Sequence, residues 1–515
     1  MMNNNKDQIK SVNLFARHPN MLLALILFVL AVMLYSILPV HYPVYYSIID
    51  DTIEYAIQAE STNPVDWFHP HHILNAAIHR VLWLMVRFPG LEIRAYDIMS
   101  WTSRLSMALA VALLFILGRR MGARRKLAFA LGLVFMIGCS PWTFGGISET
   151  VAPTTAIFLL LVLLLFYRSD RQPPSMRTMF WLGVLFSLDI CLHQMQAIYL
   201  PVLLLGMWGW ERGKRLKRML WFLLGTALLV GITYSFVILF VQGTLNLKAG
   251  MDFATTYATE SYWGKGDFDN IGDSLRTLVM TQSFSLYVWE KAFRGFWAIA
   301  ASISAIFLGG VGFIGWLVPA TQRNWRIECA WFFLFLLTAF FFITWWEAKC
   351  WDFWVLPWVL LLLGIARIRL AKDWILFPLV LACIGFTTYY NFTYMVMDRT
   401  AFASNIYYDA ASKVAKLPSS CREIMFTTNY HNYVYCRYFA GVDRVVLMGY
   451  DETVLSSNDK NTKISLRRAI TDLGRDRIDC ILLDRGASAA ARRFGVGGMS
   501  RVPKTGDVAI YRLSG

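Results

Sequence analysis

The sequence predicts a mainly α, polytopic transmembrane bundle of about eleven spans, with a small external α/β domain after it. Three observations predict this. The 515 residues are 57% hydrophobic and 16% charged, with positive mean hydropathy, a composition foreign to ordinary soluble domains. The apolar residues fall in blocks of bilayer length. The basic residues behind the net charge of +15 gather at the ends of those blocks: Arg119, Arg120, Arg124, Arg125 and Lys126; Arg212, Lys214, Arg215, Lys217 and Arg218; Arg367, Arg369 and Lys372. Such clusters hold loops on the cytoplasmic side. That cause suffices for the charge, and nucleic acid is excluded as a partner.

The elements follow in chain order. Lys6, Lys10 and Arg17 precede an apolar run from Met21 to Val40 that no small-residue cleavage site follows. It reads as a retained first span with a cytoplasmic N-terminus. Residues 41–100 form a large first external loop. Within it, Ile73, Leu74, Ala77, Ile78, Val81, Leu82 and Met85 share one side of a helix suited to the membrane interface, interrupted by Asn75, His79 and Arg80. The second span (about 101–118) returns to a basic cluster, the third runs out to the turn at Ser140-Pro141-Trp142, and the fourth covers about 150–167.

Met179 to Trp210 is apolar but too long for one span, and both flanks are basic. Two short spans with an external turn near His193-Gln194 resolve this. The seventh span (219–241) exits into a second external loop, 242–295. Spans at 296–318, 328–345, 353–366 and 374–392 complete the bundle, and every basic cluster then lies on one side. The membrane domain is thus 1–395 and the external domain 396–515. In the latter, Glu423–Thr427, Arg444–Met448, Cys480–Asp484 and Val508–Arg512 read as strands, and Lys463 to Leu473 as a helix.

Ionisable groups beside or within a bilayer are expensive and mark chemistry or transport. Asp50, Asp51 and Glu54 open the first external loop. A carboxylate there can act as a general base on an acceptor hydroxyl. Asp51 and Glu54, at i and i+3, share a helical face; the alternative is a capped helix start. His69-Pro70-His71-His72 offers donors to phosphate oxygens. Pro70 disfavours a regular helix through the run and no Cys or carboxylate stands at a zinc-finger offset, so no metal is expected.

Asp189 and His193 stand four apart in an apolar stretch, where a charge costs on the order of 3 kcal/mol. They face a cavity or form a structural pair. Trp346-Glu347 with Lys349 and Asp352 suits a lipid-phosphate or sugar site, or an interfacial anchor. Glu149, at the outer end of the fourth span, is ambiguous. Asp267, Asp269 and Asp273 lack the glutamate of a calcium loop and read as solvated. Asn391-Phe-Thr393 matches a glycosylation sequon at a span end. No Gly-rich phosphate loop, nucleophile elbow or His-Glu-x-x-His is present.

Taken together, the chain resembles the GT-C superfamily of polytopic glycosyltransferases. The nearest look is to the bacterial branch of protein O-mannosyltransferases, lipid A aminoarabinose transferases and lipopolysaccharide core galacturonosyltransferases. The marks are Asp51-x-x-Glu54-Tyr55, His69-Pro70-His71-His72, Ser148-Glu149, His193-Gln194, and Trp346-Glu347 with Phe353-Trp354-Val355-Leu356-Pro357.

The resemblance implies a first-loop aspartate as catalytic base, carried onto Asp51 with Asp50 as its close competitor. It implies a polyprenyl-phosphate sugar donor, an envelope glycan, lipid or protein as acceptor, and an inverting displacement at the outer side of the inner (plasma) membrane. His69, His71, His72, Arg80, His193, Glu347 and Lys349 would bind the donor's phosphate or sugar, with no cofactor or metal required. Many family members carry an adjacent Asp-Glu pair, whereas here the glutamate comes three residues on. The rival class is a flippase of lipid-linked sugars, with Asp189 and His193 as relay groups; the lack of an internal repeat and the large external segments argue against it.

Overall fold

The computed structural model describes residues 19–41, 49–167, 173–210, 212–243, 246–259, 271–286, 295–318, 325–368, 373–401 and 405–422, and in the tail 424–427, 429–442, 444–447, 480–485, 488–489, 499–502 and 510–514. The basic residues Arg369 and Lys372, the loop aspartates Asp267 and Asp269, and the tail helix expected at Lys463 to Leu473 lie outside the described residues.

A helix stands at each of the eleven expected places. Six are long and apolar enough to cross a membrane: Pro19–Ile37, Ala95–Met121, Gly213–Val241, Phe296–Leu317, Arg326–Glu347 and Ile375–Arg399. Val151–Phe166, Gln194–Trp208 and Val355–Arg367 are shorter and apolar. Arg125–Met136 and Met176–Leu192 fill the other two places. Arg125–Met136 has 12 residues, about 18 Å of helix against a hydrocarbon core of about 30 Å. It is apolar all round because most of its side chains are buried by neighbouring helices.

Chain contacts group the residues into two compact units, 1–40 with 58–397, and 41–57 with 398–515. In the first, small residues let helix backbones meet where lipid supplies no hydrophobic drive. A Cβ on Gly183 would strike the Phe222 carbonyl, and one on Gly225 the Phe180 carbonyl. Beside them the Ser187 hydroxyl donates to the Thr226 carbonyl, and the Thr226 hydroxyl to the Gly183 carbonyl. The helices Phe296–Leu317 and Val355–Arg367 meet in the same way, through Gly312, Gly315 and Gly364.

The segment Thr281–Leu286, expected within the second external loop, is instead buried among the helices. Its polarity is satisfied rather than solvated. The Cys139 and Ser140 amides donate to the Gln282 and Thr281 carbonyls. Gln282 donates to the Val134 carbonyl and accepts from the Trp358 indole, each at 3.0 Å. Asn391 donates to the carbonyls of Ile137 (3.0 Å) and Gln282 (2.9 Å) and accepts from the Phe284 amide (2.8 Å). Irregular backbone is tolerated at membrane depth only when protein satisfies it in this way. The same bonds occupy the amide of the Asn391 sequon, which is therefore no glycosylation acceptor.

Asn75–Arg87 is the expected amphipathic helix. Asn75, Ala76, His79 and Trp83 face inward, while Val81, Leu84, Met85 and the following Phe88 are exposed, an apolar surface of the kind that suits a membrane interface.

The second unit carries a five-stranded sheet in the order β2-β1-β3-β5-β4, with β1 Ile424–Thr427, β2 Arg444–Leu447, β3 Cys480–Asp484, β4 Met499–Arg501 and β5 Ile510–Ser514. β1 lies parallel to β2 and β3, and β5 runs antiparallel to β3 and β4. The parallel β1–β2 pair needs a crossover, supplied by the helix Tyr430–Phe439. Asn429 caps that helix by accepting from the His431 amide, and Asn405 caps the helix Ile406–Val414 likewise. Val434 and Tyr435 pack in a core with Met425, Phe426, Leu482 and Leu483.

Candidate active site

The His69-Pro70-His71-His72 run forms a tight turn. His72 donates its amide to the His69 carbonyl at 3.1 Å, and the two residues form an isolated antiparallel bridge. Pro70 keeps the residue before it extended. The turn is bound to the break between two helices at His193. The Gln194 amide donates to the His71 carbonyl and the Leu74 amide to the Cys191 carbonyl, both at 3.0 Å. The Gln194 side chain donates to the Tyr234 hydroxyl (2.6 Å), which donates to the Pro70 carbonyl (2.8 Å).

Three imidazoles converge there. The ring centroids of His71, His72 and His193 lie 4.7, 4.6 and 4.5 Å apart pairwise, with the rings edge to face. Trp346 stacks on His71 at 5.9 Å, and Phe353 meets the edge of His193 at 5.5 Å. Burial lowers the pKa of His69 to about 4, and burial with the neighbouring His69 lowers that of His71 to about 4. Burial and the adjacent imidazoles push His72 and His193 well below the usual range. At neutral pH the cluster is uncharged and offers N–H donors and lone pairs. The tautomers are set by backbone partners. His72 donates Nδ1–H to the Leu192 carbonyl at 3.1 Å, leaving a lone pair on Nε2, whereas Nδ1 of His193 accepts from the Met195 amide.

The turn that brings Trp346 and Phe353 to these rings also carries Asp352, which the linear order did not connect to Glu149. Both are buried. Glu149 sits on the loop before the helix Val151–Phe166, where the Thr150 amide and hydroxyl donate to its carboxylate and the Ser103 hydroxyl meets its backbone. Asp352 accepts from the Cys350 thiol at 2.7 Å. Burial and the Asp352 charge raise the Glu149 pKa to about 8, and burial raises that of Asp352 to about 6. Both carboxyls thus hold their protons to higher pH than a solvated carboxyl does.

The remaining residues fall as follows. Asp51 and Glu54 lie on the helix Ile49–Glu60, one turn apart as their spacing required, and Asp50 belongs to the same helix. Glu54 accepts from the Tyr430 hydroxyl. Arg80 donates to the Ala59 (2.9 Å) and Ser61 (2.6 Å) carbonyls and lies over the Trp67 ring. Lys349 pairs with Asp273 at 3.7 Å, and Glu347 is the last residue of the helix Trp325–Glu347. Of the two readings left open for Asp189 and His193, the side-chain pair is not formed; the backbone bond from the His193 amide to the Asp189 carbonyl joins them. Among the described residues the buried Asp189 carboxyl has no hydrogen-bond partner.

Long apolar helices packed through small residues, with buried imidazoles and carboxyls on the loops between them, define a polytopic membrane protein with polar groups in its interior. No family model matches the chain, and no curated protein does. Among solved structures, ArnT from Cupriavidus metallidurans bound to undecaprenyl phosphate aligns over 96% of this chain and 97% of its own, with a TM-score of 0.61 and 11% identity. ArnT in the apo state aligns with the same coverage, a TM-score of 0.60 and 12% identity. The chain therefore shares the fold of these ArnT structures, the fold that the sequence resemblance implied.

Proposed function

We propose that this protein is an inverting membrane glycosyltransferase. It moves a sugar from a polyprenyl-phosphate donor to an envelope glycan, lipid or protein on the outer side of the inner membrane. The observation that carries the reading is the end-to-end likeness to an ArnT structure that holds undecaprenyl phosphate. Asp51 takes the proton of the acceptor hydroxyl as its oxygen attacks the anomeric carbon. The bond from that carbon to the phosphate oxygen breaks, and the electron pair leaves with the polyprenyl phosphate. Imidazole N–H groups of the histidine turn and Lys349 meet the phosphate. The Glu149 carboxyl, whose proton burial retains, offers a hydrogen bond to a sugar hydroxyl or phosphate oxygen.

The test is transfer of label from a panel of radiolabelled polyprenyl-phosphate sugars to envelope acceptors by reconstituted protein, beside Asp51→Asn. Transfer that the variant lacks supports the reading; donor binding without transfer by the native protein overturns it. The rival reading, transport of the lipid-linked sugar, draws on the unpartnered Asp189 carboxyl. It requires that Asp189→Asn, and not Asp51→Asn, abolish function.

A further inference from the structure

The histidine turn holds a feature that the transferase reading does not need. One ligand-capable atom from each of His71, His72 and His193 lies within 4.8 Å of the others. Half of the chain's eight histidines, these three and His69, stand in this one place, where His72 and His193 are buried. The geometry points to a binding site for one divalent late transition metal, of the zinc class, held by His71, His72 and His193.

Three arguments carry it. First, the donor set is all imidazole, which suits zinc, copper or nickel and not magnesium or calcium. Second, the ring triangle is held from outside rather than by its own contacts. The turn is bonded to the 191–194 segment through the His71 and Cys191 carbonyls, and its Pro70 carbonyl accepts from the Tyr234 hydroxyl, so three rings from two distant parts of the chain are pre-placed. Third, His72 shows the outer-shell pattern of a metal-bound histidine, with one ring nitrogen donating to a backbone carbonyl and the other directed elsewhere. Ligation by His193 through Nδ1 exchanges its 3.2 Å bond from the Met195 amide for the metal. Three protein ligands leave a fourth position open to water or an anionic oxygen, and an ion with neutral ligands keeps its full charge there. The site stands independently of the transferase reading.

The test uses the full chain purified in detergent, stripped with a chelator and loaded with zinc, cobalt or magnesium. Metal content by mass spectrometry should reach one zinc per chain, cobalt should give the visible absorption of a four-coordinate site, and magnesium should not bind. His71→Ala and His193→Ala should each weaken zinc binding at least about tenfold, whereas His79→Ala, a buried histidine outside the triad, should leave it unchanged. Zinc should raise the thermal midpoint of the native protein and not that of His71→Ala, which separates lost ligation from lost folding. Failure of the native protein to retain zinc, or equal retention by His71→Ala and His193→Ala, overturns the assignment.

Discussion

Replacing Glu149 with Gln should make the protein more stable at alkaline pH while leaving its acid stability unchanged. Glu149 is 7% exposed, so bulk solvent screens little of its burial cost. Its pKa rises from the ordinary 4.5 to about 8, first through burial and then through the Asp352 charge. A raised acid pKa means that the folded state holds the proton more tightly than the unfolded chain. The associated stability is fully present below about pH 4.5 and is lost as pH climbs toward about 8. At about 1.4 kcal/mol per pH unit, the full loss is about 5 kcal/mol, of which about 3 has occurred by pH 7. Part of this belongs to the Glu149–Asp352 pair, because each proton lost makes the second harder to remove.

Gln keeps an oxygen for the Thr150 amide and cannot ionise. The assay is thermal unfolding of detergent-purified protein, followed by tryptophan fluorescence from pH 5 to 8.5. Native protein should lose midpoint steadily across that range. The variant should lose less and should melt higher than native at pH 8. Parallel curves for the two proteins would refute the buried, proton-holding carboxyl.

Asp51→Asn should lower transfer by about a hundredfold or more, the usual cost of a lost general base. Glu54→Gln, whose carboxylate already serves the Tyr430 hydroxyl, should cost less than about tenfold; equal losses in the same radiolabel assay would place the base elsewhere. Asn391→Leu strips partners from two carbonyls and an amide and should cost about 3 kcal/mol or more, read as a lowered melting midpoint; an unchanged midpoint contradicts the buried wedge. Gly315→Val forces a side chain into the Gly364 carbonyl, so detergent-extracted protein should elute as aggregate in fluorescence-detected gel filtration, whereas the same change at Gly310, which meets nothing nearby, should leave a single peak.

The long helices were legible because lipid demands a long apolar block. The paired short helices on either side of His193 were legible on the same ground, from excess length and two basic flanks. Thr281–Ser285 was not. Its residues are those of an ordinary polar loop, and only the partners supplied by Cys139, Trp358 and Asn391 make its burial affordable.

The candidate site divides in the same way. The histidine turn and His193 each stood out as ionisable groups at a membrane edge, but their convergence is a tertiary fact. Glu149 looked ambiguous because its partner, Asp352, lies far along the chain. In the tail, β4 has three residues, too few for an alternating pattern to register. The helices Ile406–Val414 and Tyr430–Phe439 left a usable signal in their capping residues Asn405 and Asn429, which hydrophobic periodicity alone overlooked.

The wedge at Thr281–Leu286 also sets a timetable for biogenesis. Its bonds tie residues near 137–140 to Gln282 and to Asn391, so the helices that leave the ribosome first cannot complete their polar contacts until about 250 further residues have been made. At about 5–20 residues per second, that is a delay of roughly 10 to 50 seconds. During it the Gly138–Ser140 backbone must be solvated by water or shielded by the insertion machinery. Thiol labelling of Cys139 in stalled nascent chains should therefore fall sharply once the chain is long enough to expose Asn391. Labelling that is already low in chains ending before residue 280 would mean that this part of the bundle closes without its wedge.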